Sequence, residues 1–236
     1  MSMAYTIKRY MCFVSLVLVF VVILSTEARA DLYGFKNITN NLAGDAAIGE
    51  AQLFVDVTPY SGNQVLFTFS NAGSEASSIC DVYFEDGSLL GIAEIFDAKY
   101  NESLYPGVRF SKGANPPDLP SGNTMQPPFN VTAGFLADSD PKVQPNGVNP
   151  GESLGILFNL IGGQTFTDVI AAINQGFTGP IVAGESLRIG IHVQGFDSGG
   201  SESFVLTPEP GSLLLGSIGL GMVIARCRKR KTLIES

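Results

Sequence analysis

The stretch 51–57, Ala51-Gln52-Leu53-Phe54-Val55-Asp56-Val57, and its neighbour 65–69, Val65-Leu66-Phe67-Thr68-Phe69, set the expectation for the fold. Leu53, Val55 and Val57 fall on one side, with Gln52, Phe54 and Asp56 on the other, and Val65, Phe67 and Phe69 alternate in the same way. Side chains of an extended chain point to opposite faces in turn, so a period of two reads as a strand with one buried face. Tyr60-Ser61-Gly62-Asn63 stands between the runs and carries turn residues, which predicts a hairpin or its longer variant.

Working outward, Cys80, Val82 and Phe84 lead into Glu85-Asp86-Gly87, a turn signal, and 89–96 returns apolar as a second hairpin candidate. The middle, 112–149, carries Pro116, Pro117, Pro120, Pro127, Pro128, Pro141 and Pro145 among many Asn, Ser and Gly. A long irregular excursion is expected there, with a short strand over 129–135 inside it. Such loops often carry binding, and they equally serve to cover the edge of a sandwich. Order resumes with an echo: Gly151-Glu152-Ser153-Leu154 opens one strand and Gly184-Glu185-Ser186-Leu187 opens another, which suggests two related edges of one sheet system. Four shared residues do not establish a repeat. Between them, Phe166, Val169, Ile170 and Ile173 fall at helical spacing, with Thr165 or Thr167 as cap and Asp168 in the first turn. The expected fold is mainly β: an antiparallel β-sandwich or jelly-roll-like domain with one short helix closing an end, flanked by an N-terminal signal helix and a C-terminal transmembrane helix.

The two ends set a route. Lys8 and Arg9 precede an apolar run over 11–24, and Ala28-Arg29-Ala30 places small residues at the two positions a signal peptidase reads, so cleavage is expected between Ala30 and Asp31. An uncleaved N-terminal anchor is the alternative. Near the other end come Pro208-Glu209-Pro210, a largely apolar run over 211–225, and the basic residues Arg226, Arg228, Lys229, Arg230 and Lys231. As a helix that run spans roughly 22 Å, short of the roughly 30 Å hydrocarbon core, so alone it is a marginal span. The basic cluster stops transfer and keeps the C-terminus on the cytoplasmic side. Each proline disfavours helix in the residue before it, so the helix is expected from near Gly211, with Glu209 extended and accessible.

In this three-part arrangement the tail resembles the PEP-CTERM sorting signal of exported bacterial proteins, a family in which a membrane-embedded exosortase recognises and processes the tail. The resemblance covers about 25 of 236 residues; Thr207 and Cys227 depart from the family pattern without changing its charge logic. The segments 187–196 and 199–204, with 79–84, are similar to a recurring group of PEP-CTERM proteins, which implies a shared fold and carries over no functional residue. The resemblance implies a secretory signal over 1–30, a folded domain over 31–206 and a sorting signal over 207–236. It also implies exosortase and signal peptidase as partners, with extracellular polysaccharide as a further one, and a destination at the envelope, outer surface or extracellular matrix of a Gram-negative bacterium after transient anchoring in the inner membrane. An ordinary tail anchor with a proline-rich neck is the alternative.

Chemistry in 31–206 is sparse. Nineteen acidic residues stand against six basic ones, a formal charge near −13, which repels nucleic acid and anionic lipid and favours cations, neutral sugars or simple solubility. Cys80 is the one cysteine in that range, so no internal disulfide forms and a buried structural thiol is expected. His192 is the single histidine; it shares a strand face with Arg188, Gly190 and Gln194, opposite Leu187, Ile189, Ile191 and Val193, and that polar face is expected to be solvated or to line an edge. Gly151-Glu152-Ser153-Leu154-Gly155 matches a nucleophile elbow on paper, with Asp168 and His192 following, but a loop precedes the serine and a strand follows it, the reverse of what an elbow needs. Asp138-Ser139-Asp140 begins like a calcium loop and then fails at Lys142 and Asn149, leaving only an irregular calcium site with Asp138, Asp140 and Asn146. Asp81, Tyr83 and Glu85 alternate on one face, where paired carboxylates and an aromatic would suit a glycan hydrolase or a sugar-binding surface, although the chain lacks tryptophan. The expectation is a non-enzymatic structural or interaction protein without cofactor or metal, with a glycan- or calcium-binding module and a surface glycan hydrolase as alternatives.

Overall fold

The computed structural model describes residues 31–86, 89–182 and 185–208. The expected cleavage residues Ala28 and Ala30, the motif residues Glu209 and Pro210, the apolar run and the basic residues Arg226, Arg228, Lys229, Arg230 and Lys231 lie outside them. Among the described residues no helix is long and apolar enough to cross a membrane.

The chain opens with β1 (Asp31–Asn37), α1 (Ala43–Gln52), β2 (Leu53–Pro59), β3 (Gln64–Asn71), β4 (Ser78–Glu85) and β5 (Leu89–Phe96). After α2 (Ala98–Asn101) come β6 (Phe110–Lys112), β7 (Leu136–Ser139), α3 (Val143–Asn146) and β8 (Ser153–Leu160), and the domain closes with α4 (Phe166–Thr178), β9 (Arg188–Gln194) and β10 (Glu202–Pro208). All ten strands join one antiparallel sheet in the order β5-β8-β3-β2-β1-β10-β9-β4-β7-β6. Its two edges meet: Lys112 Nζ of β6 donates to the Ile92 carbonyl of β5 at 2.6 Å, and Lys99 Nζ donates to the Phe110 carbonyl at 3.1 Å. The lysines satisfy edge carbonyls that would otherwise template a further strand, and the sheet is nearly closed.

The mainly antiparallel β fold is as expected, and the two layers of a sandwich are here two halves of this one coiled sheet. Phe67 of β3 and Phe158 of β8 meet Phe84 of β4 edge-on, with ring centroids 5.3 and 4.7 Å apart, and Phe135 stacks on Phe158 at 5.4 Å. The alternating apolar residues of every long strand point into this interior. A fully buried Phe stabilises by about 1.5–3 kcal/mol, and each such ring pair adds about 0.5–1.5. The hairpin of β2 and β3 forms in the expected register, from Leu53 opposite Asn71 to Pro59 opposite Val65, closed by a Tyr60 N–H bond to the Gln64 carbonyl.

Helices close both mouths of the sheet. The chain must cross from β8 to β9 over one mouth, and α4 does so with Val169 and Ile173 buried beneath it. Asp168 starts that helix by accepting from the Thr165 N–H and hydroxyl, both at 2.7 Å. At the other mouth α1 joins β1 to β2; no periodic apolar stripe announces it, and residues 51–52 end this helix instead of opening β2. Tertiary contacts hold it there: Gly49 lies against the Phe204 ring, and Glu50 accepts from the Asn37 N–H at 3.0 Å. The segment leading into it wraps the buried Glu202, whose carboxylate accepts from the Asn41 and Leu42 N–H groups at 3.2 and 2.6 Å, from Asn37 Nδ2 at 3.0 Å and from the Thr39 hydroxyl. Burial alone would raise this carboxyl, but the hydrogen bonds outweigh it and hold the group below the usual glutamate range.

Three expectations change. The second hairpin does not form, because β4 pairs with β9 and β7 while β5 pairs with β8, on the other side of the sheet. Asp86 turns the chain there, its N–H and carbonyl both bonded to Thr132 Oγ1 at 2.8 and 2.7 Å. No strand covers 129–135; β7 starts one residue later. The echoed strands β8 and β9 are both interior, flanked by β5 and β3 and by β10 and β4, so they are not edges. Alternation records which face is buried and says nothing of which strand lies alongside.

Candidate functional site

The two polar faces read separately from sequence, Asp81-Tyr83-Glu85 on β4 and Arg188-Gly190-His192 on β9, are neighbours in register. Asp81 lies opposite His192, Tyr83 opposite Gly190 and Glu85 opposite Arg188, all on the outer side of the sheet. This face is not solvated: the proline-rich excursion folds over it. Tyr83 donates its hydroxyl to the Pro116 carbonyl at 2.9 Å, and Leu119 fills the space above Gly190, where an added Cβ would lie 2.6 Å from Leu119 Cδ2. A larger residue at 190 would have to push the Leu119 side chain aside. Arg188 is buried, pairs through Nε with Glu85 at 2.8 Å, donates to the carbonyls of Pro127 (2.9 Å) and Pro128, and lies 5.2 Å over the Phe129 ring. The excursion is thus a cover over a sheet face rather than over an edge.

Beside it lies a row of polar side chains across the sheet. Asp138 of β7 faces Asp81 of β4, which faces His192 of β9, which faces Ser203 of β10. His192 Nδ1 is 3.1 Å from Asp81 Oδ2, a geometry in which the ring N–H donates to the carboxylate. Asp81 is 1% exposed and its Oδ1 has no partner, while the Asp138 carboxyl is within hydrogen-bonding reach of it. Burial first, and then the Asp81 charge, push the Asp138 carboxyl up to about 6. Below about pH 6 a proton on Asp138 makes it a hydrogen-bond donor to Asp81.

This arrangement does not assemble the hydrolytic sites considered above. Two carboxyls in hydrogen-bonding contact are closer than the roughly 5–9 Å that glycoside hydrolysis needs, and Glu85 is committed to Arg188. Concavities of about 300 and 430 Å³ lie beside Pro127, and neither reaches Asp81, Asp138 or His192. The paper triad is dispersed as well: Ser153 of β8 lies opposite Ser70 of β3, Asp168 is held by Thr165, and His192 by Asp81. Of the calcium candidates, Asp140 binds Lys99 Nζ at 2.6 Å and Ser111 Oγ at 2.7 Å, and the Asn146 amide donates to the carbonyls of Asp140 and Pro141. Lys99 already supplies the positive charge there. Among the described residues no group of three or more His, Cys, Asp or Glu is placed to hold a metal ion. Cys80 is fully buried, and burial pushes its thiol up to about 12, so it stays protonated.

A feature absent from the sequence reading lies on the outer side of the opposite half. Phe96, at the end of β5, packs over Gly155, and three tyrosines gather on it: Tyr60 edge-on at 5.7 Å, Tyr100 stacked at 4.2 Å and Tyr105 tilted at 6.5 Å. Tyr60 and Tyr100 are 39% and 48% exposed. They come from a hairpin turn and the short helix α2 some forty residues apart, and no local pattern links them. Of the residues expected to flank processing, two fall within the described residues: Asp31 opens β1 opposite Val57, and Pro208 ends β10 opposite Tyr33. Compared with protein-family models, curated proteins and solved structures, the chain has no match in any of the three.

Proposed function

We propose that this chain is an exported protein, delivered to the cell envelope or extracellular matrix through a PEP-CTERM tail, and that its β domain serves there as a non-enzymatic structural or interaction module. The observation that carries the reading is the pairing of β1 with β10. Among the described residues the first strand, β1, opens with Asp31, the residue expected after signal cleavage, and the last, β10, ends with Pro208, the first residue of the Pro-Glu-Pro motif. Adjacent antiparallel strands put these two points at the same mouth of the sheet, so cuts before Asp31 and beyond Pro208 would leave the β1–β2 and β1–β10 ladders intact. Domain 31–206 is extended by this to Pro208, since Thr207 and Pro208 pair with Gly34 and Tyr33. The commitment of Glu85 to Arg188 and of Asp81 to His192 supports the non-enzymatic side of the reading.

The test is to recover the protein from its host and map both termini by mass spectrometry. An N-terminus at Asp31 with loss of everything beyond 208–210 is expected. A chain that still ends at Ser236 in the membrane fraction would sink the sorting claim and leave a plain tethered domain.

A further inference from the structure

Exposed aromatic rings gathered on a closed sheet need an explanation, because the core does not require them there. Five tyrosines lie in 31–208; Tyr33 and Tyr83 are buried, and the other three, Tyr60, Tyr100 and Tyr105, converge on Phe96. Their phenols are close enough to act on one another: the Tyr60 hydroxyl pushes the Tyr100 phenol above its ordinary value, and burial followed by the same neighbours does so to Tyr105. The patch therefore offers flat apolar rings edged by hydroxyls, the amphipathic surface that tyrosine brings to contacts with partly polar partners.

The charges around it narrow the choice of partner. Lys99 pairs with Asp140 at 2.6 Å, and Arg109 with Glu102 at 3.1 Å, so each of these cations near the patch is already balanced by a carboxylate. Glu94, whose charge acts on Tyr100, is exposed and has no ion-pair partner among the described residues. With the domain near −13, a polyanion is repelled both locally and at long range. A second copy of the chain would bring the same negative charge, and a stable dimer needs about 800 Å² of well-packed surface from each partner, whereas Leu104 is the one large aliphatic residue exposed beside the rings. A neutral ligand with apolar C–H faces and many hydroxyls meets none of these objections.

We propose that Tyr60, Tyr100 and Tyr105, with Glu94 at the rim, form a binding platform for a neutral polysaccharide, the sugar faces stacking on the exposed rings of Tyr60 and Tyr100 and the hydroxyls meeting the phenols and the Glu94 carboxylate. This deepens the interaction reading by naming a ligand class, and it rests on the folded domain and not on the processing of the tail. Failure of binding would leave the terminus mapping untouched, and failure of the mapping would leave the platform untouched.

The test uses the full chain purified in a detergent without sugar headgroups. It is run through native gels containing mixed-linkage β-glucan, hydroxyethyl cellulose, dextran or, as the anionic control, alginate, alongside Y60A/Y100A and Y60F/Y100F, with the melting temperature of each recorded. Retardation by at least one neutral glucan and not by alginate is expected. Two stacking rings at about 0.5–1.5 kcal/mol each predict a loss of about tenfold or more in Y60A/Y100A, and only a few-fold loss in Y60F/Y100F, which keeps the rings. If Y60A/Y100A melts below wild type, Y60A alone, in an exposed turn, replaces it. No retardation by any neutral glucan, equal retardation of wild type and Y60A, or retardation by alginate alone overturns the proposal. So does light scattering that shows a dimer lost on substitution together with no glucan binding, which would assign the patch to self-association.

Discussion

Asp138→Asn tests the shared-proton pair directly. In the folded chain the Asp138 carboxyl is pushed up to about 6, from an unfolded value near 4, by burial and by Asp81 beside it. The groups facing it are Asp81 on β4, with His192 of β9 behind, Asp140 just past the end of its own strand and the Asn115 backbone N–H. Folding raises this pKa, so the folded state binds more protons than the unfolded chain between about pH 4 and 6. Stability from this group is therefore present at low pH and lost as pH rises through about 6. A displacement of roughly two pH units corresponds to about 3 kcal/mol at full strength; Asp138 is half-buried, and solvent screening reduces this to about 1–2 kcal/mol. The asparagine side chain in D138N cannot ionise, and its amide can donate to Asp81 Oδ1 at every pH. Urea unfolding followed by far-UV circular dichroism suits a chain without tryptophan. D138N should be more stable than wild type by about 1–2 kcal/mol at pH 7.5, with the gap closing to a few tenths by pH 4.5. Subtracting wild type cancels the groups that titrate the other way, such as Glu202 and Glu50, whose lowered pKa values remove stability as pH falls. A gap that does not change with pH, or a variant less stable at pH 7.5, would mean that Asp138 is not protonated beside Asp81 in the fold.

Two further outcomes follow from packing. Arg188→Met leaves Glu85 without its partner and the Pro127 and Pro128 carbonyls without their donor, so a loss of about 3–5 kcal/mol is expected in the same unfolding assay. R188M/E85M should recover most of it, and a double variant no better than R188M would mean that the carbonyl bonds, not the ion pair, carry the cost. Gly49→Ala improves helix propensity by about 1 kcal/mol yet sets a Cβ 2.1 Å from Phe204 Cζ. The expected net result is a destabilisation of about 1–3 kcal/mol, relieved in part by F204L and read as melting temperature.

What could be read beforehand followed the range of the physics involved. Strands β2 and β3 and helix α4 were legible because alternation, a turn and a capping Thr165-Asp168 pair act within a few residues of one another. Helix α1 was not, since its ten residues are held by Phe204, Asn37 and Glu202, which lie far away in the chain or across the sheet. The polar face of β9 is legible in its alternation but its burial is not, because its cover comes from a loop some sixty residues earlier in the chain. Asp81 and Glu85 were singled out as a carboxylate pair, and tertiary register gave each a different partner instead.

The antiparallel β class, the faces of the main strands, the acidic balance and the burial of Cys80 are legible in the chain alone, because side-chain alternation and composition are properties of neighbouring residues. Folding alone makes the sheet one coiled ladder whose edges two lysines bring together, lines up Asp138, Asp81 and His192 across three strands, and sets Tyr60 beside Tyr100 and Tyr105 on one ring. These are consequences of strand order and register, which arise when chain segments far apart in sequence compete for the same core, and no local pattern encodes that competition.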